Sequence, residues 1–203
     1  MFKKSLVVTL VALMAASFVG TAMADIVCPD SSYCQVSFTN PSKNRVTIAP
    51  NGAGETFAGT GITVRVFLKN CNGAPLVGVP AQEVVIFNSA LCICPGGNIA
   101  DAATDANGMT TFSGTIRGGG CVESLTIFAD GVQLCNTPLK TNSWDWIHSP
   151  CFVDAGDLAA LSARLRSAVG QPNYSICFDW TEDGFIDSSD VASFASHLGE
   201  ACQ

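Results

Sequence analysis

Six residues between positions 179 and 190 have the types and the spacing of a calcium-binding loop. Calcium prefers oxygen ligands, and a twelve-residue loop supplies them from positions 1, 3, 5, 7, 9 and 12. Gly184 falls at position 6, where the chain must turn sharply, and Ile186 at position 8 can enter a neighbouring core. The predicted ligands are Asp179, Thr181, Asp183, the backbone carbonyl of Phe185, Asp187 and Asp190.

Two of these residues depart from the general loop pattern, which has Asp or Asn at position 3 and Glu at position 12. This chain has Thr181 and Asp190 there. Four carboxylates packed this closely repel one another unless a cation lies between them, which favours the calcium interpretation. The alternative is a solvated acidic turn in front of a helix, with Asp187 or Ser188 as the N-cap residue.

The amino terminus has the three parts of a secretory signal peptide. Lys3 and Lys4 precede an apolar run, and Ala22-Met23-Ala24 has the small residues of a cleavage site. We expect residues 1–24 to be removed and the protein to be secreted, either to the extracellular space or to the cell surface. The apolar run is marginal for a membrane span, so an uncleaved anchor is the alternative. No other stretch is long and apolar enough to cross a bilayer.

All ten cysteines follow this segment. Because secretion leads to an oxidising compartment, an even number of cysteines predicts a disulfide framework of up to five bridges. The spacing leaves the pairing open. A thiolate metal site is disfavoured, because only one residue separates Cys92 from Cys94 and zinc ligands usually lie further apart.

The charge is negative and uneven. The chain carries a net charge of −7, which becomes −9 without Lys3 and Lys4. Residues 141–203 hold nine acidic side chains against two arginines, which suits a cation site. We expect no nucleic-acid binding, because that affinity depends on Lys and Arg neutralising phosphate.

Residues 25–140 have the pattern of a β-sandwich. β-Branched residues alternate with others in several short segments, and Asn-Gly, Gly-Gly and Asp-Gly turns separate them. Asp130-Gly131 is the clearest hairpin turn. The predicted strands lie at Asn44–Ala49, Thr60–Lys69, Glu83–Asn88, Thr110–Thr115, Cys121–Phe128 and Gly131–Leu134.

Four segments of this region resemble bacterial immunoglobulin-like domains of the invasin type. The resemblance covers about residues 45–140 and implies a fold but little about function. Its segments are Ile62–Val66, Asn72–Pro80, Thr104–Phe112 and Ala129–Gly131.

Residues 141–203 change to a helical period and contain an internal repeat offset by 33 residues. Leu158, Leu161, Leu165 and Ala168 lie at helical spacing, which predicts a helix that ends near Gly170-Gln-Pro172. Leu158 and Leu161 recur 33 residues later as Val191 and Phe194. The repeat is unequal, since the loop at 146–157 keeps Asp154 and Asp157 but has Trp146, His148 and Pro150 in place of the first three ligands. We expect this loop to bind no calcium, or to bind it weakly with Asp145 shifted by one place.

Two calcium loops, each followed by one helix, resemble the dockerin modules of secreted bacterial proteins. The resemblance covers about residues 145–200, and dockerins commonly have Asp at position 12. It implies a small all-α EF-hand module at 141–203, calcium as the cofactor, and a helical face that docks on a cohesin-like or other extracellular partner. With the sandwich at 25–140, the expected fold class is mostly β.

Signals for an enzyme are poor. His148 and His197 adjoin no Ser or Cys motif, and the acidic side chains are concentrated in the calcium loop. Trp144, Trp146 and Trp180 could stack on a sugar or a partner, or form core between the two domains. We therefore expect a non-enzymatic module for attachment or surface display. The alternatives are a structural extracellular protein in which calcium and disulfides serve stability only, and an enzyme of unrecognised type.

Overall fold

The computed structural model describes residues 26–147 and 150–203, so the predicted signal peptide at 1–24 and His148 lie outside the described residues. The described chain is mostly β, with short strands and two α-helices. The strands are β1 Tyr33–Phe38, β2 Arg45–Ile48, β3 Ile62–Phe67, β4 Val84–Phe87, β5 Cys92–Ile93, β6 Met109–Phe112, β7 Gly118–Gly119, β8 Leu125–Ala129, β9 Val132–Thr137, β10 Lys140–Ser143, β11 Ser167–Ala168 and β12 Phe185–Ile186. The helices are α1 Ala155–Ser162 and α2 Ser188–His197, and a 3-10 turn covers Ala81–Glu83.

Two three-stranded antiparallel sheets, in the orders β1-β3-β6 and β4-β8-β9, form a sandwich. Alternate residues of their strands point into a shared core, as period-2 patterning predicts. The mostly β prediction is confirmed, and the two sheets are consistent with an immunoglobulin-like fold. The fully buried side chains of this core include Val64, Val66, Val84, Ile86, Leu125 and Ile127.

The predicted Asp130-Gly131 hairpin is confirmed. Asp130 has φ 49° and Gly131 φ 73°, and Ala129 pairs with Val132 across the turn. Positive φ at both central residues is the geometry that suits the twist of two antiparallel strands.

Strand β10 crosses from the sandwich into the C-terminal residues 141–203, which we call the tail. It runs parallel to β2, with Lys140 opposite Arg45 and Ser143 opposite Ile48. The start of the tail is therefore joined to the sandwich by the backbone pairing of β10 with β2.

Both helices of the tail begin in the same way. Asp154 and Asp187 are the N-cap residues, and each forms a reciprocal capping box with the Asp three residues later. Helix α1 is shorter than the helical period predicts and ends at Ser162. The chain beyond it forms β11, because Ser167 and Ala168 pair with Ile186 and Phe185.

In the tail, the segment that follows each helix pairs with the loop of the other repeat. The segment after α1 pairs with the second loop through β11 and β12. Thirty-three residues later in the sequence, the segment after α2 pairs with the first loop, since Phe152 forms a bridge with Ala201 and the Val153 N–H donates to the Glu200 carbonyl at 2.9 Å. Each repeat thus closes the loop of the other.

A second hydrophobic core lies inside the tail and against the sandwich. Ala49, which directly follows β2, is a member of this core. The Trp144 side chain is buried there, and Trp146 and Trp180 pack against the core, which supports the core interpretation of the three tryptophans. Its other buried residues are Val153, Leu161, Phe178, Ile186 and Phe194.

All ten cysteines are paired, which confirms the disulfide prediction. Two bridges lie within the sandwich part, and three join it to the tail. The first two are Cys28–Cys71 and Cys34–Cys135, and the other three are Cys92–Cys151, Cys94–Cys202 and Cys121–Cys177.

No helix in the described part of the chain has the length and hydropathy to cross a membrane.

We expect Phe178→Ala to lower the free energy of unfolding of the oxidised protein by about 3–5 kcal/mol. Phe178 is fully buried, and its ring centroid lies 4.8 Å from that of Trp146 and 6.0 Å from that of Trp180. Phe185→Ala is the control, since Phe185 is 56% exposed and the change should cost less than about 0.5 kcal/mol. Denaturant unfolding followed by tryptophan fluorescence measures both. Equal losses would contradict the second core.

Candidate calcium-binding site

The loop at 179–190 is held between two parts of the second core. Phe178 precedes it and Ile186 lies inside it, and both side chains are fully buried. The first and last predicted ligands are buried as well, with Asp179 1% exposed and Asp190 0% exposed. The sequence therefore folds the two ends of the loop inward, away from solvent.

Asp179 organises the first half of the loop. Its Oδ2 accepts hydrogen bonds from the Gly184 N–H at 2.9 Å and from the Tyr174 hydroxyl at 2.7 Å. Its Oδ1 accepts from the Asp183 N–H at 3.2 Å. Gly184 has φ 86°, a conformation that favours glycine and that turns the chain around the carboxylate.

Asp190 organises the second half. Its Oδ1 accepts from the Trp180 N–H at 2.8 Å and the Thr181 N–H at 3.3 Å, and its Oδ2 accepts from the Asp187 N–H at 3.0 Å. Burial raises the pKa of Asp190, and the charge of Asp179 adds to this, although these N–H groups oppose the rise. A cation beside Asp190 would oppose this rise.

Oxygens from loop positions 1, 3 and 12 converge. Thr181 Oγ1 lies 3.4 Å from Asp179 Oδ1 and 3.4 Å from Asp190 Oδ1. This donor set consists of oxygens alone, which fits calcium rather than a softer metal.

The ligands predicted at positions 5 and 9 lie on the exposed side of the loop. Asp183 Oδ1 accepts from the Phe185 N–H at 2.9 Å, and Asp187 Oδ1 accepts from the Ser189 N–H at 2.7 Å. The Ser189 hydroxyl and N–H lower the pKa of Asp187. No three acidic side chains of this loop, which is fully described, bring one oxygen each within 4.8 Å of one another. Binding an ion here requires Asp183 and Asp187 to turn inward.

A groove of about 340 Å³ leads from solvent to this loop, between the tail and the sandwich. Asp179, Tyr174 and Glu182 lie on its tail side. Lys43 of the sandwich contacts Glu182 at 2.7 Å and Glu55 at 3.3 Å. Glu182 is loop position 4 and has φ 56°. Its ion pair with Lys43 therefore joins the loop to the sandwich.

The first loop, residues 145–157, is built on the same plan. Asp157 Oδ1 accepts from the Trp146 and Ile147 N–H groups at 2.7 Å each, as Asp190 Oδ1 does from Trp180 and Thr181. Its Oδ2 accepts from the Asp154 N–H at 2.9 Å. The counterpart of Asp179 is therefore Asp145, at the one-residue shift considered above, and the first loop contains one extra residue.

Asp145 has different surroundings from Asp179. It is 0% exposed, its Oδ1 has no hydrogen-bond partner, and its Oδ2 lies 3.2 Å from Sγ of Cys92 in the Cys92–Cys151 disulfide. Burial raises the pKa of Asp145 to about 7, and the charges of Asp157 and Asp154 add to this. The Phe152 N–H opposes the rise but completes no hydrogen bond to Oδ1.

Gly119 explains how the sandwich accommodates this carboxyl. A Cβ at Gly119 would collide with the side chain of Asp145, so only glycine permits the approach. The Gly120 N–H also donates to the Asp145 backbone carbonyl at 2.8 Å. The three-glycine run at 118–120 thus serves the contact with the first loop.

Sequence reasoning missed Tyr174 but considered Asp145 as the shifted counterpart of Asp179. Nothing in the sequence around Tyr174 indicates its bond to Asp179. For Asp145 a signal was present, because the pair Asp145-Trp146 repeats as Asp179-Trp180.

Comparisons with known proteins give little. No family model matches the chain, and no curated protein matches it. Among solved structures, the crystal structure of the Lin-41 filamin domain matches 58% of this chain and 95% of its own, with 16% identity and a TM-score of 0.30. That likeness is too distant to bear on function.

We expect Asp145→Asn to change the pH dependence of stability. The pKa of this carboxyl is about 7 in the folded protein and about 3.9 when unfolded. The folded state therefore holds a proton that the unfolded state loses between about pH 4 and pH 7, so stability falls as the pH rises through that window. Asn has no proton to lose in this range. Between pH 4.5 and pH 7.5, the free energy of unfolding of the variant relative to that of wild type should therefore rise by about 2–4 kcal/mol.

Denaturant unfolding at the two pH values measures the effect. Asp130→Asn is the control, because Asp130 lies exposed in the β8–β9 turn. If Asp145→Asn and Asp130→Asn show the same pH dependence, Asp145 is charged in the fold and the interpretation is wrong.

Proposed function

We propose that this is a secreted, non-enzymatic calcium-binding protein. Residues 25–140 form an immunoglobulin-like module, and residues 141–203 form a dockerin-like module of paired half EF-hands that attaches the protein to an extracellular partner or displays it at the cell surface. The observation that carries the proposal is the convergence of Asp179, Thr181 and Asp190 at the centre of the second loop. Five disulfides and the absence of a spanning helix in the described residues are compatible with this location.

One ion is proposed, in the second loop. Asp179, Thr181, Asp183, Asp187, Asp190 and the Phe185 carbonyl would hold it. When bound, calcium neutralises the carboxylates that otherwise repel one another. The first loop has a disulfide beside Asp145 in the corresponding place, so its donor set does not suit a second calcium.

Attachment is supported by an exposed apolar patch next to the loop. Val169 is 69% exposed, Phe185 56% and Ile176 42%, and Val169 and Ile176 line the groove described above. The Val169 N–H donates to the Gly184 carbonyl at 3.0 Å, which connects the patch directly to the loop. An ion that holds the loop in one conformation would therefore also hold the apolar patch in one conformation.

The alternative proposal is that calcium and disulfides serve stability only. The three bridges between the sandwich and the tail support it, because they give the tail a structural role against the sandwich.

The non-enzymatic part is common to both proposals. His197 stacks on Trp144 with centroids 3.4 Å apart, and its Nδ1 lies 2.7 Å from Glu200 Oε1, so it is engaged in packing.

Isothermal titration should give a stoichiometry near one calcium per chain. Asp183→Ala should weaken binding by about tenfold or more, because it removes a charged ligand whose side chain is otherwise exposed. A stoichiometry near two would show that the first loop also binds.

A matched pair of variants separates the ligand role of Asp187 from its capping role. Asp187→Ala and Asp154→Ala remove the same N-cap hydrogen bonds. Both should lower calcium-free stability by about 1 kcal/mol. Only Asp187→Ala should weaken calcium binding, and equal calcium affinities in the two variants would contradict the site.

Capture by an immobilised cohesin-type domain separates the two proposals. If the tail attaches, capture requires calcium and is reduced by Val169→Ser, whereas Val77→Ser on the sandwich, at 63% exposure, leaves it unchanged. If calcium raises the melting temperature but no capture occurs with or without the ion, the stability-only alternative holds.

A further inference from the structure

Two of the disulfides between the sandwich and the tail lie against each other. Cys92 lies in strand β5, and Cys94 directly follows this strand. Cys92 is bonded to Cys151, and Cys94 is bonded to Cys202. The Sγ atoms of Cys94, Cys151 and Cys202 all lie within 4.8 Å of one another. A sulfur of one bridge is therefore close to both sulfurs of the other.

The two bridges differ in exposure. Cys202 is exposed, Cys151 is half-buried and Cys94 is 1% exposed. Attack on a disulfide requires access to one sulfur, so a thiol from solution meets Cys202 first.

A cation lies at this exposed end. The Arg117 guanidinium donates to the Pro95 carbonyl at 2.9 Å and to the Gln203 carbonyl at 3.5 Å, next to Cys94 and Cys202 respectively. A neighbouring guanidinium attracts the incoming thiolate and stabilises a thiolate that leaves.

A buried carboxyl lies at the opposite end. Oδ2 of Asp145 is 3.2 Å from Sγ of Cys92, and a disulfide sulfur has no hydrogen to donate to it. The carboxyl groups that face Asp145 are Asp157 and Asp154, both from the first loop and the start of α1. Their negative charge and the burial favour a proton on Asp145.

We propose that the two bridges form a thiol-exchange relay, which makes Cys202 a site of covalent attachment for a thiol-bearing molecule. The thiolate of a low-molecular-weight thiol attacks Sγ of Cys202, forms a mixed disulfide there and releases Cys94 as a thiolate. Cys94 then attacks Sγ of Cys151, which forms Cys94–Cys151 and releases Cys92 as a thiolate. Asp145 gives its proton to Cys92, and no oxidant or reductant is consumed beyond the thiol itself.

The relay keeps the tail attached. Before exchange, Cys92 and Cys94 hold the tail at Cys151 and Cys202. After exchange, Cys94–Cys151 and Cys121–Cys177 still join the two parts, while the carboxyl-terminal segment carries the new group. Asp145 completes the sequence because the thiolate of Cys92, whose thiol has an ordinary pKa of about 8.5, is a stronger base than the carboxylate of Asp145.

The remaining bridges lack this arrangement. Among the described residues, no cysteine of the Cys28–Cys71, Cys34–Cys135 or Cys121–Cys177 bridges belongs to a comparable cluster. Cys28–Cys71 is a matched control, because it too joins an exposed cysteine, Cys71, to a buried one, Cys28.

The first experiment incubates the whole oxidised protein with glutathione under native conditions, quenches it with an alkylating reagent in denaturant, and maps the peptides. We expect glutathione on Cys202, a Cys94–Cys151 bridge and alkylation at Cys92. Glutathione on Cys202 with alkylation at Cys94 and an intact Cys92–Cys151 bridge would overturn the relay. Equal glutathione addition at Cys71 and Cys202 would overturn the selectivity.

The second experiment needs no added thiol. Cys202→Ser frees Cys94, and the relay predicts that part of the free thiol moves to Cys92 as Cys94–Cys151 forms. Cys71→Ser frees Cys28, and its free thiol should stay there. A free thiol confined to Cys94 in the Cys202→Ser variant would contradict the proposal, and the first experiment decides the question if this variant does not fold.

Asp145→Asn tests the proton donor. The rate of glutathione addition at Cys202 should be unchanged, whereas the appearance of alkylated Cys92 should slow by about tenfold or more. The ratio of the wild-type rate of the second step to that of the variant should also fall as the pH rises above 7, because the attacking Cys94 thiolate is common to both proteins. An unchanged second step in the variant would remove Asp145 from the relay.

Discussion

The tail is positioned by its contacts with the sandwich, because its own helices are short. Its helices have 8 and 10 residues, and isolated helices of this length are marginal in water. Three disulfides, the parallel pairing of β10 with β2, and Ala49 in the second core all connect the tail to the sandwich. The candidate calcium-binding loop is held in position by that connection, and so is the groove that leads to it.

Within the tail, one device is used twice. Asp157 and Asp190 each gather two N–H groups from the start of their loop and one from the N-cap residue, so a single carboxylate closes the loop onto the helix. The loops then diverge. The second has oxygen side chains around Asp179, whereas the first has Cys151, whose disulfide to Cys92 joins it to the sandwich. A covalent bond thus constrains the first loop where an ion is proposed for the second.

The sequence predicts the local elements better than their connections. The alternating segments predict six of the strands. The Asp-Gly pair predicts the turn at 130–131, because these residue types tolerate the positive φ values that the turn requires. Strands β5, β7, β11 and β12 have two residues each and no period to detect. The end of α1 at Ser162 was missed because β11 pairs with β12, a tertiary contact that overrides the helical period. The disulfide pairing and the contact of Asp145 with Cys92 also depend on distant segments, so spacing could not reveal them.

The candidate site distributes its four carboxylates between two environments. Asp179 and Asp190 are buried, but each accepts several hydrogen bonds from the loop's own N–H groups, which offset their charge. Asp183 and Asp187 are exposed, where water screens them. The turn at Gly184 and the buried Ile186 shape the loop through contacts of the chain itself, and ion binding would need the inward rotation of Asp183 and Asp187. A loop that its own hydrogen bonds and buried side chains shape in this way would lose less conformational freedom on binding than an unstructured acidic segment, so more of the attraction between an ion and the carboxylates would appear as affinity.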